Sequence, residues 1–150
     1  MNAHMLKCQT CGFTIRRRPT IGVGVIVMDG NKVLLGRRGL RGWSKYMGYW
    51  CIPCGHLEWG EEIRRGARRE FWEETGLEVE VGEVYAVHSN FHNPQELTVG
   101  VWFMGTVTSG TLVAGDDLDL AGYFDLSSLP ELIAFPTDRL VLDKLKTEMA

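Results

Sequence analysis

A single strong helix set among strands constrains this chain more than any other feature. Residues from about 61 to 75 carry its clearest helical pattern, and Gly76 stands where a left-handed C-terminal cap belongs. Before it, the β-branched run Ile21–Met28, the turn signal Asp29-Gly30-Asn31 and the segment Lys32–Arg38 read as a β-hairpin. A glycine- and aromatic-rich loop at 39–49 leads to a short strand at Trp50–Ile52, ended by Pro53. After the helix come long strand patterns at about 78–91 and 97–108, a turn at Gly115-Asp116-Asp117 and a further strand at 119–125. Pro136 opens a last helix at about 137–148, with Leu140, Val141, Leu142 and Leu145 in or near one apolar stripe. This order predicts an α/β domain with helix–sheet–helix layering. A chain of 150 residues fits one such domain. We place it at 20–150, after an irregular lead-in at 1–19 that carries Cys8-Gln-Thr-Cys11. Eighteen glycines argue against a plain helical bundle.

The charge is small in total and uneven along the chain. A net charge of −3 argues against a general nucleic-acid binder, which would be basic. Residues 1–50 hold nine Lys/Arg and one acid, Asp29, whereas residues 51–150 hold seven Lys/Arg and eighteen acids. The first twenty residues lack the apolar core of a secretory leader, and no run approaches the ~18 apolar residues that cross a bilayer. The expectation is a cytoplasmic chain without membrane contact. In that compartment its four cysteines are reduced thiols or metal ligands rather than disulfides.

The central helix is charged against its own dipole. Arg64, Arg65, Arg68 and Arg69 crowd its first part, and Glu70, Glu73 and Glu74 its last turn. The dipole favours the reverse. The three glutamates are spaced i, i+3, i+4, which puts them on neighbouring faces within one turn. Ile63 and Ala67 fall on the side of Glu70 and Glu74, so that side should face the protein. Clustered carboxylates on such a face repel one another. A hard divalent cation offsets the repulsion, and Mg²⁺ is the usual choice where phosphates are handled. The alternative is a solvated face laced with pairs such as Arg69–Glu73.

The wider spacing resembles a known signature. Gly55, five residues, Glu61, seven residues and then Arg69-Glu70-Phe71-Trp72-Glu73-Glu74-Thr75-Gly76-Leu77 match the motif of the Nudix hydrolase family at every fixed position. Val33-Leu-Leu-Gly-Arg-Arg38 looks like the family's second strand, and Tyr123-Phe-Asp-Leu-Ser-Ser-Leu-Pro130 like its closing strand and turn. The resemblance spans about residues 20–148 and implies an α/β/α sandwich around a mixed β-sheet. It implies a pyrophosphohydrolase in which water attacks a nucleoside diphosphate linked to another group. It assigns Glu70, Glu73 and Glu74, with the Gly55 carbonyl, to Mg²⁺, with Mn²⁺ as an alternative. Glu70 is also the base in several members. Arg69 and Glu61 become an ion pair that orients the helix, and Glu61 could reach metal through water. A further acid after the motif is expected among Asp116, Asp117 and Asp119, with Asp117 preferred. An ordinary polar turn explains the same residues.

Substrate and partner expectations rest on fewer residues. Arg37 and Arg38 alternate across a strand, so one of them can hold a substrate phosphate. Phe91, His92, Trp43, Tyr46 and Tyr49 are candidates to stack on a base, or equally to pack a loop. Pro94 occupies the region where ADP-ribose pyrophosphatases tend to carry a proline, so ADP-ribose or a related nucleotide sugar is the favoured substrate. The alternatives are a triphosphatase for oxidised nucleotides and a Nudix-fold module that senses nucleotides without cleaving them. A homodimer is compatible with the family. Cys8-x-x-Cys11 resembles half of the zinc ribbon that precedes NADH-pyrophosphatase-like members. Together with Cys51-x-x-Cys54 it could make a four-thiolate zinc site. A zinc-dependent interaction protein would rest on those cysteines alone.

Overall fold

The structure, a computed structural model, describes residues 5–41 and 44–149. The strands are β1 (Met5–Lys7), β2 (Thr14–Arg16), β3 (Thr20–Asp29), β4 (Lys32–Arg38), β5 (Trp50–Cys51), β6 (Cys54–His56), β7 (Leu77–Asn90), β8 (Thr98–Gly110) and β9 (Leu118–Asp125). The helices are α1 (Ile63–Thr75) and α2 (Pro136–Met149).

β3 and β4 form the expected hairpin, but they pair only at its tip, through Met28–Val33 and Asp29–Lys32. Beyond the tip they part. β3 turns to β6 and runs parallel to β8, while β4 pairs with β5 and β9. β7 completes the mixed sheet antiparallel to β8. The parting of β3 from β4 opens a cleft inside the sheet layer.

Side-chain alternation along β3 explains the two helix layers. Val23, Val25 and Val27 face the side where Ala67 and Phe71 of α1 pack with Phe103. Ile26 faces the opposite side, where Val141, Leu142 and Leu145 of α2 close the second core. A strand covered on both faces needs this nearly continuous apolar run. Burying Phe71 contributes about 1.5–3 kcal/mol to holding α1 on the sheet.

The two helices also guard the exposed edge of β7. Arg64 Nε donates to the Gly82 carbonyl at 3.2 Å, and Lys144 Nζ donates to the Tyr85 carbonyl at 2.8 Å. Both carbonyls are thereby withdrawn from edge-to-edge pairing.

Three details differ from the sequence expectation. α1 begins at Ile63 because Glu62 caps it, its carboxylate accepting from the Arg64 and Arg65 N–H groups. Beyond the Pro53 that ends the expected strand, Cys54–His56 forms a further short strand on β3. Residues 5–16 of the lead-in form a hairpin of β1 and β2 rather than irregular chain. No helix among the described residues is long and apolar enough to cross a membrane.

Candidate active site

The C-terminal end of α1 organises one wall of the cleft. Gly76 caps the helix in the left-handed conformation, with φ of 71°. The helix's last carbonyls then receive donors from the segment before β9. Gly115 N–H donates to the Glu74 carbonyl at 3.0 Å and Val113 N–H to the Thr75 carbonyl at 2.9 Å. A Cβ on Gly115 would come within 2.7 Å of the Glu73 carbonyl, so only glycine fits there. The chain then passes through Asp116 at φ of 50°, a conformation that Asp tolerates better than most residues. This docking brings the loop acids onto the helix acids. Carboxylate oxygens of Glu70, Glu73 and Asp116 lie within 4.8 Å of one another, as do those of Glu74, Asp116 and Asp117.

One guanidinium ties the helix acids in place. Arg69 holds Glu61 through two hydrogen bonds, at 2.7 and 2.9 Å, and Glu70 at 2.8 Å. Its head also reaches Glu73 at 3.3 Å and the His56 carbonyl at 3.2 Å. The Arg69 bonds bring the Glu61 carboxyl down to about 2. Across the helix, burial pushes the Glu70 carboxyl up, opposed by Arg69. Glu74 is 1% exposed. Its burial, followed by the nearby Cys54, pushes it well above the ordinary carboxylate range, although the Cys54 N–H donates to it at 2.9 Å. A Cβ at Gly55 would run into the Glu70 carboxyl, so the signature glycine lets Glu70 lie against β6.

These acids fit a hard divalent cation. The donors are all carboxylate oxygens, converging from a helix and a loop, and Mg²⁺ or Mn²⁺ takes such ligands. Two of the helix acids are raised by burial, a cost that a bound cation offsets.

The opposite wall carries aromatic rings, a buried arginine and a buried carboxylate. The cleft encloses about 450 Å³ and is lined by Gly22, Gly24, Arg38, Tyr46, His92, Trp102, Phe135, Thr137 and Asp138, among others. Arg38 is almost fully buried. Its guanidinium lies 5.2 Å over the Phe135 ring and 3.8 Å from Asp117, so it spans the two walls. Burial alone would lower its pKa; Cys51, Cys54 and Glu74 outweigh that and raise it. Tyr46 meets His92 and Phe135 edge-on, with centroids 5.7 and 5.5 Å apart, and the His92 and Phe135 rings lie tilted to each other at 5.2 Å. Asp138 is also 1% exposed and accepts from Ile52 N–H at 2.9 Å and Trp102 Nε1 at 3.1 Å. Burial pushes its carboxyl up to about 7. Arg38 Nε and Thr137 Oγ1 are buried without a hydrogen-bond partner, and both residues line the cleft. A bound ligand can satisfy them.

The sequence candidates divide accordingly. Glu61, Arg69, Glu70, Glu73, Glu74 and Gly55 come together, and Asp117 joins Glu74. Asp116 belongs to both acid groups and is more central than the preferred Asp117. Asp119 is occupied by Arg37 at 2.8 Å, and that pair lies outside the cleft lining. Of Arg37 and Arg38, Arg38 is the one that lines the cleft, which Arg41 also borders. Phe91 is exposed, whereas its neighbours Asn90 and His92 line the cleft. Tyr49 packs beside Leu118, and Trp43 lies outside the described residues.

The four-cysteine zinc site is not formed. Among the described residues, neither group close enough to hold an ion contains a cysteine. Cys8 and Cys11 are exposed on the terminal hairpin, Cys51 is buried beneath Arg38, and Cys54 lines the cleft. The Thr137–Asp138 end of the cleft was missed. Pro136 and Asp138 look like ordinary helix-start residues, which hides a buried carboxylate.

Comparison with known proteins agrees with this geometry. The NUDIX domain model matches residues 18–145, and the chain belongs to the Nudix hydrolase family. It is 33% identical over 129 residues to an ADP-ribose pyrophosphatase of Methanocaldococcus jannaschii, covering 85% of this chain and 74% of that protein. An RNA pyrophosphohydrolase of Roseobacter denitrificans is 36% identical over 84 residues, covering 53% of this chain and 50% of that one. A Nudix hydrolase structure from Nitrosomonas europaea superposes with a TM-score of 0.79 at 32% identity, covering 95% of this chain and 77% of that chain. The expected α/β fold is therefore the fold observed.

Proposed function

We propose that the chain is a divalent-cation-dependent pyrophosphohydrolase that cleaves ADP-ribose or a related nucleotide sugar. The observation that carries this reading is the convergence of Glu70, Glu73, Glu74, Asp116 and Asp117 on one wall of a cleft whose other wall presents Arg38. The relative named for ADP-ribose supports the substrate class.

A divalent cation held by the acid cluster supplies charge neutralisation for the diphosphate and makes water a better nucleophile. The chain's own groups do the rest. Arg69 fixes the rotamers of Glu61, Glu70 and Glu73, so the donor set is arranged before anything binds. Glu70, raised by burial and close to Asp116, is placed to accept a proton from the attacking water. Arg38 donates to a phosphate oxygen, and its buried Nε gains the partner it lacks. The Tyr46–His92–Phe135 cluster offers an apolar face to the nucleoside end.

The test is product release across a panel with Mg²⁺: ADP-ribose, other nucleotide sugars, an oxidised guanine nucleoside triphosphate and 5′-triphosphorylated RNA. Highest kcat/KM on ADP-ribose or a nucleotide sugar is expected. Preference for a triphosphate or for RNA would overturn the substrate assignment, and binding without turnover would overturn the enzyme.

A further inference from the structure

The N-terminal hairpin is the part of the molecule that the hydrolase reading leaves unused. Its strands pair Met5 with Arg16, Leu6 with Ile15 and Lys7 with Thr14. Cys8 and Cys11 sit in the turn between them. There Cys8 N–H donates to the Phe13 carbonyl at 2.7 Å, and Gly12 N–H to the Cys8 carbonyl at 3.0 Å. Gly12 turns at φ of 73°, which suits glycine. This fold-back sets both cysteines on one tight turn.

The hairpin buries almost nothing. Every residue from Leu6 to Pro19 is exposed, including Leu6, Phe13 and Ile15. A lone two-stranded hairpin is marginal in water, and segments too small for a core lean on a metal, a disulfide or a second chain. The chain's remaining thiols cannot help, since Cys51 is buried under Arg38 and Cys54 faces the cleft.

We infer that Cys8 and Cys11 are half of a tetrahedral zinc site whose other half is the same pair from a second copy of this chain, so that zinc joins two chains through their hairpins. Structural zinc takes four ligands, and a two-fold pair of these turns supplies four sulfurs. Binding releases the thiol protons and leaves a zinc tetrathiolate of net charge −2. The hairpin and the residues just after it carry Lys7, Arg16, Arg17 and Arg18, and no acid precedes Asp29, so the local charge opposes that of the cluster. The second hairpin also covers Leu6, Phe13 and Ile15, which zinc held by one chain and water would leave exposed.

The test uses the reduced full chain, loaded with Zn²⁺ and desalted, beside C8S/C11S treated alike. Zinc per chain is measured by elemental analysis and mass by light scattering. The expected result is about half an equivalent of zinc per chain that the variant fails to bind. The mass should double with zinc and fall back with a chelator, while the variant keeps the wild-type circular dichroism. Three results would overturn the inference: a full equivalent per chain without a change of mass, equal zinc in the variant, or a mass indifferent to zinc and chelator. None depends on hydrolysis, so this inference and the hydrolase reading can fail separately.

Discussion

The two walls of the cleft are held by different forces. The α1 wall is an electrostatic construction, in which Arg69 gathers Glu61, Glu70 and Glu73 while the acids left over face Asp116 and Asp117. The α2 wall is held by burial and neutral donors, with Asp138 bonded to Ile52 and Trp102 and Arg38 lying on Phe135. The first wall keeps an excess of negative charge that a cation can use. The second keeps one buried cation, Arg38, and two unsatisfied polar atoms that an anionic, hydrogen-bonding ligand can use.

Substitutions on each wall should break different kinetic constants. On the α1 wall, Glu74→Gln keeps the shape and removes the charge, and kcat should fall by about 1,000-fold or more with little change in KM. Arg69→Lys keeps the charge but loses the fork that binds several carboxylates at once. Its activity should fall by about 10–100-fold, with weaker Mn²⁺ binding in a titration calorimeter. An activity equal to wild type would show that the acids are aligned without Arg69.

On the α2 wall, Arg38→Ala should raise KM by about tenfold or more while kcat changes less, as read from initial rates. A pure kcat effect would erase the distinction between the walls. A separate effect, on stability rather than on rate, concerns Asp138. Burial holds its carboxyl at about 7 in the folded chain against an ordinary 3.8, so the folded state holds its proton more tightly than the unfolded state. Stability from this group is therefore full below about pH 4, and is lost as pH rises towards 7 by at most about 1.4 kcal/mol per unit. Denaturant midpoints measured across that window should show the slope in wild type and a flatter one in Asp138→Asn.

The walls were also unequally legible in the sequence. The α1 wall could be read because a helix converts spacing into geometry: i, i+3, i+4 glutamates must share a side, and a closing glycine marks where the helix ends. Even the choice between Arg37 and Arg38 was framed by strand alternation, although the irregularity in the β4–β9 pairing between them could not be foreseen. The Asp116–Asp117 loop was visible only as a polar turn. Its docking on Glu74 and Thr75 depends on backbone donors that no side-chain pattern records. The α2 wall is assembled from segments far apart in the chain, including Ile52, His92, Trp102 and Phe135, and only the folded sheet brings them together. The four cysteines show the same limit in reverse. Two matched spacings suggested one site, whereas the fold puts one pair in the sheet and the other on an exposed hairpin.

If the acid cluster on α1 and its loop carries metal-dependent cleavage of a diphosphate, both the metal and Glu74 should be indispensable. The most direct measurement is AMP release from ADP-ribose by wild type and Glu74→Gln, each with Mg²⁺ and with chelator. Turnover is expected only for wild type with Mg²⁺, while Glu74→Gln still binds ADP-ribose. Undiminished turnover in Glu74→Gln, or in wild type with chelator, would contradict it.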